Sequence, residues 1–503
     1  MPTSYAAPPS VKPADDATTD VQENKGHHAV TDTGPRSLAE LEARFARDLD
    51  LLMVPPPAWV PPQDGALDVA IVGAGMAGLT AAFALRKLGI TNIRLFDRAP
   101  AGREGPWGTY ARMETLRSPK TLAGPALGFA NLTFRAWFEA QFGRDAWETL
   151  HRIPRLQWLD YLHWYRRVTN PPVENGVALT GLAGGADGVT LNLNGPDGER
   201  RVAARRVILA NGRDGLGGPF VPPFWKAVDK RFWSHAHEDI DFAALAGKTV
   251  AVLGAGAGAV DNAGTALEAG AAKVYMLIRR AEVPRVNKAL GAGHPGIVLG
   301  FNDLTDAQRW EQNQYIADTA VPAPHNSMLR CSRHPNFALL TGCSINGATV
   351  EDGRLVLDTT RGRAVVDHVV LATGFTVDWE QRPELAALAE NALLWRDRYV
   401  APGKEGSEFA QYPYLGNRFE FQERNPGQAP WLGRVHAFNY AAVMSHGRVT
   451  GDIPGISAGA ERLAEGIASR LFAEDYDRHW QRLQSFETPE LLGDEWTEAD
   501  GFA

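Results

Sequence analysis

The sequence predicts an α/β fold with two dinucleotide-binding units, the second set inside the first. Three observations predict it. A glycine-rich strand–turn–helix pattern starts at Asp68, and a second copy of it starts at Lys248. Two more apolar runs ending at glycine, Val207-Ile-Leu-Ala-Asn-Gly212 and Asp367-His-Val-Val-Leu-Ala-Thr373-Gly374, lie on either side of the second copy. Strands of that kind are how a chain leaves one parallel sheet and returns to it.

The chain has 503 residues, more than one core usually holds, so two or three domains are expected. A composition of 44% hydrophobic and 22% charged residues is that of a globular protein. The net charge of −8 and the lack of a long basic run argue against a nucleic-acid partner. Two cysteines, Cys331 and Cys343, form neither a CxxC pair nor a disulfide framework, and no metal-ligand spacing occurs. The start lacks a basic region followed by an apolar run, and the apolar stretches are broken by glycines or charges. The expectation is therefore a cytoplasmic protein without a membrane span.

Residues 1–35 are rich in Pro, Ala, Thr and Asp and are expected to be a disordered tail. Residues 36–66 are expected to form a helical arm and a proline-rich linker. Ser37-Leu-Ala-Glu40 is a capping-box pattern, and Leu38, Leu41, Phe45, Leu49 and Leu52 share one helical face. That face packs on its own domain, or serves as a dimer contact or lid.

The first unit reads Asp68-Val-Ala-Ile-Val-Gly73-Ala-Gly75-Met-Ala-Gly78. Gly73 permits the tight turn, Gly75 lets backbone approach a pyrophosphate, and Gly78 lets helix and strand pack closely. The next strand ends at Asp97, 24 residues after Gly73, where a ribose hydroxyl needs an acceptor. The irregular stretch that follows holds Gly105-Pro-Trp107, Arg117 and Lys120. Trp107 either lies on the flat face of a cofactor ring or fills the core. Arg117 and Lys120 either hold an anionic substrate or phosphate, or form a solvated surface. The aromatic-rich residues 131–170 suit a core or a substrate wall, with Trp158, Tyr161 and Tyr165 on one helical face. Gly181 to Arg206 reads as a β-meander.

The second unit reads Lys248-Thr-Val-Ala-Val-Leu-Gly254-Ala-Gly256-Ala-Gly-Ala259, with alanine in the third glycine position. Its second strand ends at Arg279-Arg280, 25 residues after Gly254, where the first unit has its acid. A cation there pairs with a 2′-phosphate rather than a free hydroxyl, so this unit is expected to take NADPH. A flavin dinucleotide in the first unit completes the pair, because hydride passes from nicotinamide to flavin. The expected layout is two Rossmann-like domains, the NADPH domain inserted into the FAD domain. Residues 67–215 and 366–503 form the FAD domain with a C-terminal helix, and residues 216–365 form the NADPH domain. Gly451-Asp452 leads into that last helix, whose N-terminus faces the electron-rich edge of the flavin or is simply a terminal helix.

Over residues 67–475 this layout resembles the class B flavin-dependent monooxygenases. That family includes flavin-containing monooxygenases, Baeyer–Villiger monooxygenases, and the N-hydroxylating ornithine and lysine monooxygenases. The likeness rests on Gly73-x-Gly75-x-x-Gly78, Gly105-Pro-Trp107, Gly254-x-Gly256-x-x-Ala259 and Asp367-x-x-x-Leu-Ala-Thr373-Gly374-Phe375. The last of these is similar to a signature of the N-hydroxylating branch, as are Thr115-Leu-Arg-Ser-Pro119 and Pro154-Arg-Leu-Gln-Trp-Leu-Asp-Tyr161. The Baeyer–Villiger fingerprint is not present; Phe232-Trp-Ser-His235-Ala-His237 lacks its glycine and terminal tryptophan. Leu116-Arg117 stands near the position of the asparagine of flavin-containing monooxygenases. Ala111-Arg112 stands near the position of the lysine of ornithine hydroxylases.

The resemblance implies FAD and NADPH as cofactors. It also implies a C4a-(hydro)peroxyflavin that passes one oxygen atom from O2 to a small nucleophilic substrate. An amine nitrogen is the expected acceptor, with Baeyer–Villiger or sulfur oxygenation as the alternative. An NADPH oxidase or flavin reductase without oxygen transfer is the other. The sequence leaves a homo-oligomer open.

Overall fold

The computed structural model describes residues 34–185 and 187–501. Apart from Gly34 and Pro35, the tail of residues 1–35 lies outside the described residues. The first sheet runs in the order Val173–Asn175, Ile93–Asp97, Ala66–Val72, Gly198–Leu209, Val189–Gly195, Ala178–Gly184. The strands from Val173–Asn175 through Gly198–Leu209 are parallel neighbours, and Val435–Ala437 adds to Gly198–Leu209 in parallel. The meander therefore ends in one long strand. Its first half pairs antiparallel with Val189–Gly195, and its second half pairs with the glycine-rich unit.

The second sheet is wholly parallel, in the order Phe337–Leu340, Lys273–Leu277, Thr249–Leu253, His368–Leu371, Trp233–His235. The apolar run before Thr373 was read as a strand leading back into the first sheet. His368–Leu371 instead pairs with Thr249–Leu253, because Val250 to Leu253 present an open edge to it. The chain crosses between the sheets on a two-stranded antiparallel ribbon, Gly217–Pro219 against Phe375–Val377. The Thr373 hydroxyl donates to the Phe220 carbonyl, and the Phe220 amide donates to the Gly374 carbonyl at 2.9 Å, locking the two crossings together.

Helix Leu38–Leu51 starts where Ser37 accepts the Glu40 amide, and it buries Leu41 and Phe45. Phe45 meets Phe83 and Phe129 edge-on, so the arm packs on its own domain; Leu52 stays 62% exposed. Helix Arg155–Thr169 buries Trp158, Tyr161 and Tyr165 in the same core. The long helix Ile456–Glu474 buries Leu463, Ile467 and Leu471 at i, i+4, i+8 and lies against Met76–Lys87. The second sheet has a separate apolar cluster on each face. Cys331 and Cys343 are buried and not bonded to each other. Among the described residues no helix is long and apolar enough to cross a membrane.

Candidate functional site

In open α/β sheets ligands bind beyond the carboxyl ends of the strands. Both sheets present glycines there, and the packing around each glycine differs. An ideal Cβ on Gly73 would lie 2.4 Å from the Ala210 carbonyl oxygen, and one on Gly78 would lie 1.9 Å from that of Gly73. The protein itself forbids side chains at those positions. A Cβ on Gly75 meets nothing nearer than the Gly105 Cα at 3.7 Å, and one on Gly105 meets only the Gly75 Cα at 3.9 Å. These two glycines face one another, and a side chain on either would fill the narrow space between their backbones. A gap of this kind fits a pyrophosphate approaching the backbone.

The helix behind the gap, Met76–Lys87, begins at Gly75 with no side-chain cap. Some helices are capped by Ser37, Thr133 and Thr305, while others, such as Arg144–Thr149 and Arg155–Thr169, also lack a side-chain cap. An uncapped start leaves amide donors and a positive dipole end for an anion. Asp97 stands at the end of the neighbouring strand, where its two oxygens accept the Ala74 amide at 2.7 Å and the Ala99 amide at 2.8 Å. These bonds fix the carboxylate at the turn, and its remaining lone pairs suit a ribose hydroxyl.

The second unit repeats this arrangement. A Cβ on Gly254 would lie 2.5 Å from the Ala372 carbonyl oxygen, while one on Gly256 meets nothing within 4 Å. Helix Ala257–Glu268 starts at Gly256, again without a side-chain cap. The two arginines at the end of the second strand part company. Arg280 donates to the carbonyls of Asp318 at 2.8 Å and Ala317 at 3.5 Å, closing the end of helix Asp306–Thr319. Arg279 is exposed and makes no hydrogen bond or ion pair among the described residues.

Between the units lies the irregular stretch after the first two strands. Trp107 is half-buried, its ring edge-on to Trp158 at 6.4 Å, and its carbonyl accepts from Arg155. Lys120 donates to the Trp147 carbonyl at 2.5 Å and sits over the Trp147 ring at 4.8 Å. It closes the end of helix Arg144–Thr149 rather than standing beside Arg117. Arg117 donates to the Pro322 carbonyl at 2.8 Å, and burial lowers its pKa against the fields of Asp261 and Asp452. Asp452 is exposed and 3.8 Å from Arg448 in the turn before helix Ile456–Glu474, which also starts without a side-chain cap.

Two arginines hold this region together: Arg112, placed by the sequence only near a substrate-binding lysine position, and Arg330, which no motif marks. Arg112 donates to the carbonyls of Ala236 at 3.0 Å and Glu238 at 2.7 Å. Arg330 pairs with Glu268 and donates to the Arg112 carbonyl at 3.0 Å. A Cβ on Gly264 would lie 3.0 Å from the Arg330 side chain, so that glycine is its seat. Asp261, on the same helix, is 3% exposed with one carboxylate oxygen unpartnered, and burial pushes it up to about 6. His235 and His237 flank the crossing. Burial lowers both, His235 to about 4, which leaves His235 neutral at pH 7.

Residues 70–214 match the FAD-NAD(P)-binding family model. Over 468 residues the chain is 38% identical to an FAD-dependent urate hydroxylase of Xanthomonas campestris, covering 91% of this chain and 98% of that protein. This chain belongs to the same family as that FAD-dependent urate hydroxylase. Two solved flavoenzymes share the fold of this monooxygenase. Ornithine hydroxylase from Pseudomonas aeruginosa superposes with a TM-score of 0.64 at 16% identity, over 81% of this chain and all of the other. Ornithine N-hydroxylase from Kutzneria gives 0.63 at 17% identity, over 80% and 99%. The monooxygenase is thus an FAD-dependent oxidoreductase, with its FAD–NAD(P)-binding match on the first glycine-rich unit.

Proposed function

We propose that this flavin monooxygenase hydroxylates a small anionic nitrogen heterocycle of the urate class, using FAD, NADPH and O2. The observation that carries this reading is the 38% identity to a urate hydroxylase over nearly the full length of both chains. Bound FAD supplies the redox and oxygen chemistry. The balance is one NADPH and one proton consumed with one O2; one oxygen atom enters the substrate and the other leaves as water.

The chain's own residues bind and position. The Gly75–Gly105 gap and the uncapped helix from Met76 hold the flavin pyrophosphate. Asp97 accepts from the ribose. Gly256 and the helix from Ala257 take the second pyrophosphate, and Arg279 meets a 2′-phosphate. Arg117, partly buried between the units, uses the donors left over from Pro322 on the substrate's negative charge. The buried aromatic wall around Trp158 and Trp107 excludes water beside it. The segment between the crossings acts as an inserted NADPH domain in this reading, and it runs past the expected end at residue 365 because His368–Leu371 belongs to its sheet.

A second reading, oxygen transfer to an amine nitrogen, is favoured by the Asp367-x-x-x-Leu-Ala-Thr373-Gly374-Phe375 motif. The test is stopped-flow and steady-state work on the FAD-loaded protein. Urate should accelerate NADPH oxidation, be consumed with it one for one, and suppress hydrogen peroxide. If a panel of amines does so and urate does not, the second reading replaces the first. If peroxide accounts for all O2 whatever is added, the protein is an NADPH oxidase.

A further inference from the structure

The C-terminal end carries an apolar surface that the rest of the chain leaves open. Helix Ile456–Glu474 runs almost directly into helix Tyr476–Gln484. Phe472, Tyr476, Trp480 and Leu483 follow at steps of four, four and three, so they fall on one side. Each is at least 46% exposed. The Tyr476 and Trp480 rings stack on each other at 6.4 Å, and Phe472 stacks on His479 at 4.9 Å. The stripe continues into residues 485–501, where Phe486, Leu491, Leu492 and Trp496 are also exposed. That segment carries Glu487, Glu490, Asp494, Glu495, Glu498 and Asp500, and no lysine or arginine. A contiguous apolar surface of this extent on a water-facing helix marks an interaction site.

A surface of the opposite charge lies close by. A groove of about 470 Å³ has an apolar floor of Leu67, Phe96 and Val202, and Arg94, Arg200 and Arg201 in its walls. One carboxylate, Glu174, bridges Arg94 at 2.7 Å and Arg200, and Arg200 lies over the Phe96 ring at 5.8 Å. Arg201 has no side-chain partner among the described residues. Gln63 and Gly65 form part of the lining. The adjacent Pro62 carbonyl accepts from Arg478 of the C-terminal helix at 3.4 Å, and Trp59 lies 5.9 Å from the His479 ring. The helix that launches the acidic segment is thus moored at the edge of an arginine groove.

We propose that this face is where two copies of the chain pair. The helices meet stripe to stripe about a two-fold axis, and each acidic segment lies in the arginine groove of the other copy. Three features select a second copy as the occupant. The acidic segment matches the groove in charge and in its apolar side chains. Docking of a chain's own segment would still leave Phe472, Tyr476 and Trp480 in water. A two-fold arrangement makes both contacts twice from one sequence. Exposed tryptophan, tyrosine and arginine are the residue types that carry binding energy at interfaces.

Sedimentation velocity of the FAD-loaded full chain, over a concentration series, tests this. Full-length protein should be dimeric. A chain ending at Ser485, a Trp480→Lys variant and an Arg94→Glu/Arg201→Glu variant should each dimerise at least about tenfold more weakly, with flavin content unchanged. A fluorescein-labelled peptide of residues 485–501 should bind the shortened chain, more weakly at high salt, and should not bind its Arg94→Glu/Arg201→Glu version. A full-length monomer at every concentration overturns the proposal, even if proteolysis shows its own segment protected. So does a shortened chain that dimerises as tightly as the full one, or a peptide indifferent to the arginines.

Discussion

In the first dinucleotide unit a Cβ at Gly78 would lie 1.9 Å from a backbone oxygen, whereas the second unit carries Ala259 at the same place in its motif. There the ideal Cβ of Gly254 lies 3.3 Å from the Ala259 methyl, so helix and turn stand further apart. The middle glycines are alike in meeting no clash: a Cβ on Gly75 would only touch Gly105 at 3.7 Å, and one on Gly256 would meet nothing within 4 Å. The second strands then end in opposite chemistry, Asp97 bonded into its turn and Arg279 with no partner. One motif thus contains two kinds of glycine. Some are required by the protein's own packing, and some are required only by what binds.

The largest effect expected is the one that breaks the first kind. Gly78→Val should drive backbone apart at the first turn, with a cost of about 3 kcal/mol or more, and should abolish soluble, flavin-loaded protein. Ala259→Gly in the second unit should change the melting temperature by only a few degrees. Next comes the second kind. Gly75→Val should leave the melting temperature of the apoprotein unchanged while emptying it of FAD, read as flavin absorbance per chain. Gly256→Val should keep the FAD and lose reduction by NADPH. A Gly75→Val protein that stays yellow would remove the pyrophosphate from that gap.

The two arginines sharpen the contrast further. A charge-assisted hydrogen bond to a phosphate contributes roughly 1.5–3 kcal/mol. Arg279→Ala should therefore raise KM for NADPH about tenfold or more and leave KM for NADH nearly unchanged. Arg280→Ala should lower thermal stability instead, because its partners are helix-terminal carbonyls. Equal rises in both KM values for Arg279→Ala would make it a surface charge.

The smallest effect compares one buried carboxyl in each unit. Burial pushes both Asp68 and Asp261 up to about 6. Between their unfolded values near 4 and about 6 the folded chain holds more protons than the unfolded one. Their contribution to stability is therefore greatest below about 4 and is lost as pH rises through about 6. Asp68 has Arg205 at 3.8 Å, while Asp261 has no ion pair within 4 Å among the described residues. Both carboxyls nevertheless end at about 6, so Asp261→Asn and Asp68→Asn should flatten the fall in melting temperature from pH 4 to 7 to about the same extent. A variant that leaves the fall unchanged would mean that its carboxyl titrates near its ordinary value.

The parts of this molecule legible in the sequence obey local rules. A tight turn, an uncapped helix start and an acid or cation at a strand end each lie within a few residues of a glycine. The aromatic helix was legible for the same reason, since Trp158, Tyr161 and Tyr165 repeat at helical spacing. The sheet that takes His368–Leu371 was not legible. It and the Val207 strand are equally apolar, and pairing is settled by which edge stands open. Nor did cationic character distinguish Lys120, which closes a helix, from Arg117, which reaches across to Pro322. Arg330 left no motif at all, and the bonds Arg112 makes were not legible from its position, because their partners lie over a hundred residues away or on another element.

The paired crossings, Gly217–Pro219 against Phe375–Val377, put the exit and return of the chain on neighbouring strands. Partners across such a ladder are roughly 5 Å apart. All five strands of the second sheet, from Trp233 to Leu371, lie between these two crossings in the chain, and the segment also packs on the first domain through Trp310, Arg309 and Asn313. In genetic terms this is the geometry of a cassette whose ends meet: a gene segment can be exchanged there without reordering the host sheet, provided the replacement keeps the contacts made by Trp310 and Arg309. Exchange of this segment between relatives would then change the electron donor while the flavin scaffold stayed the same.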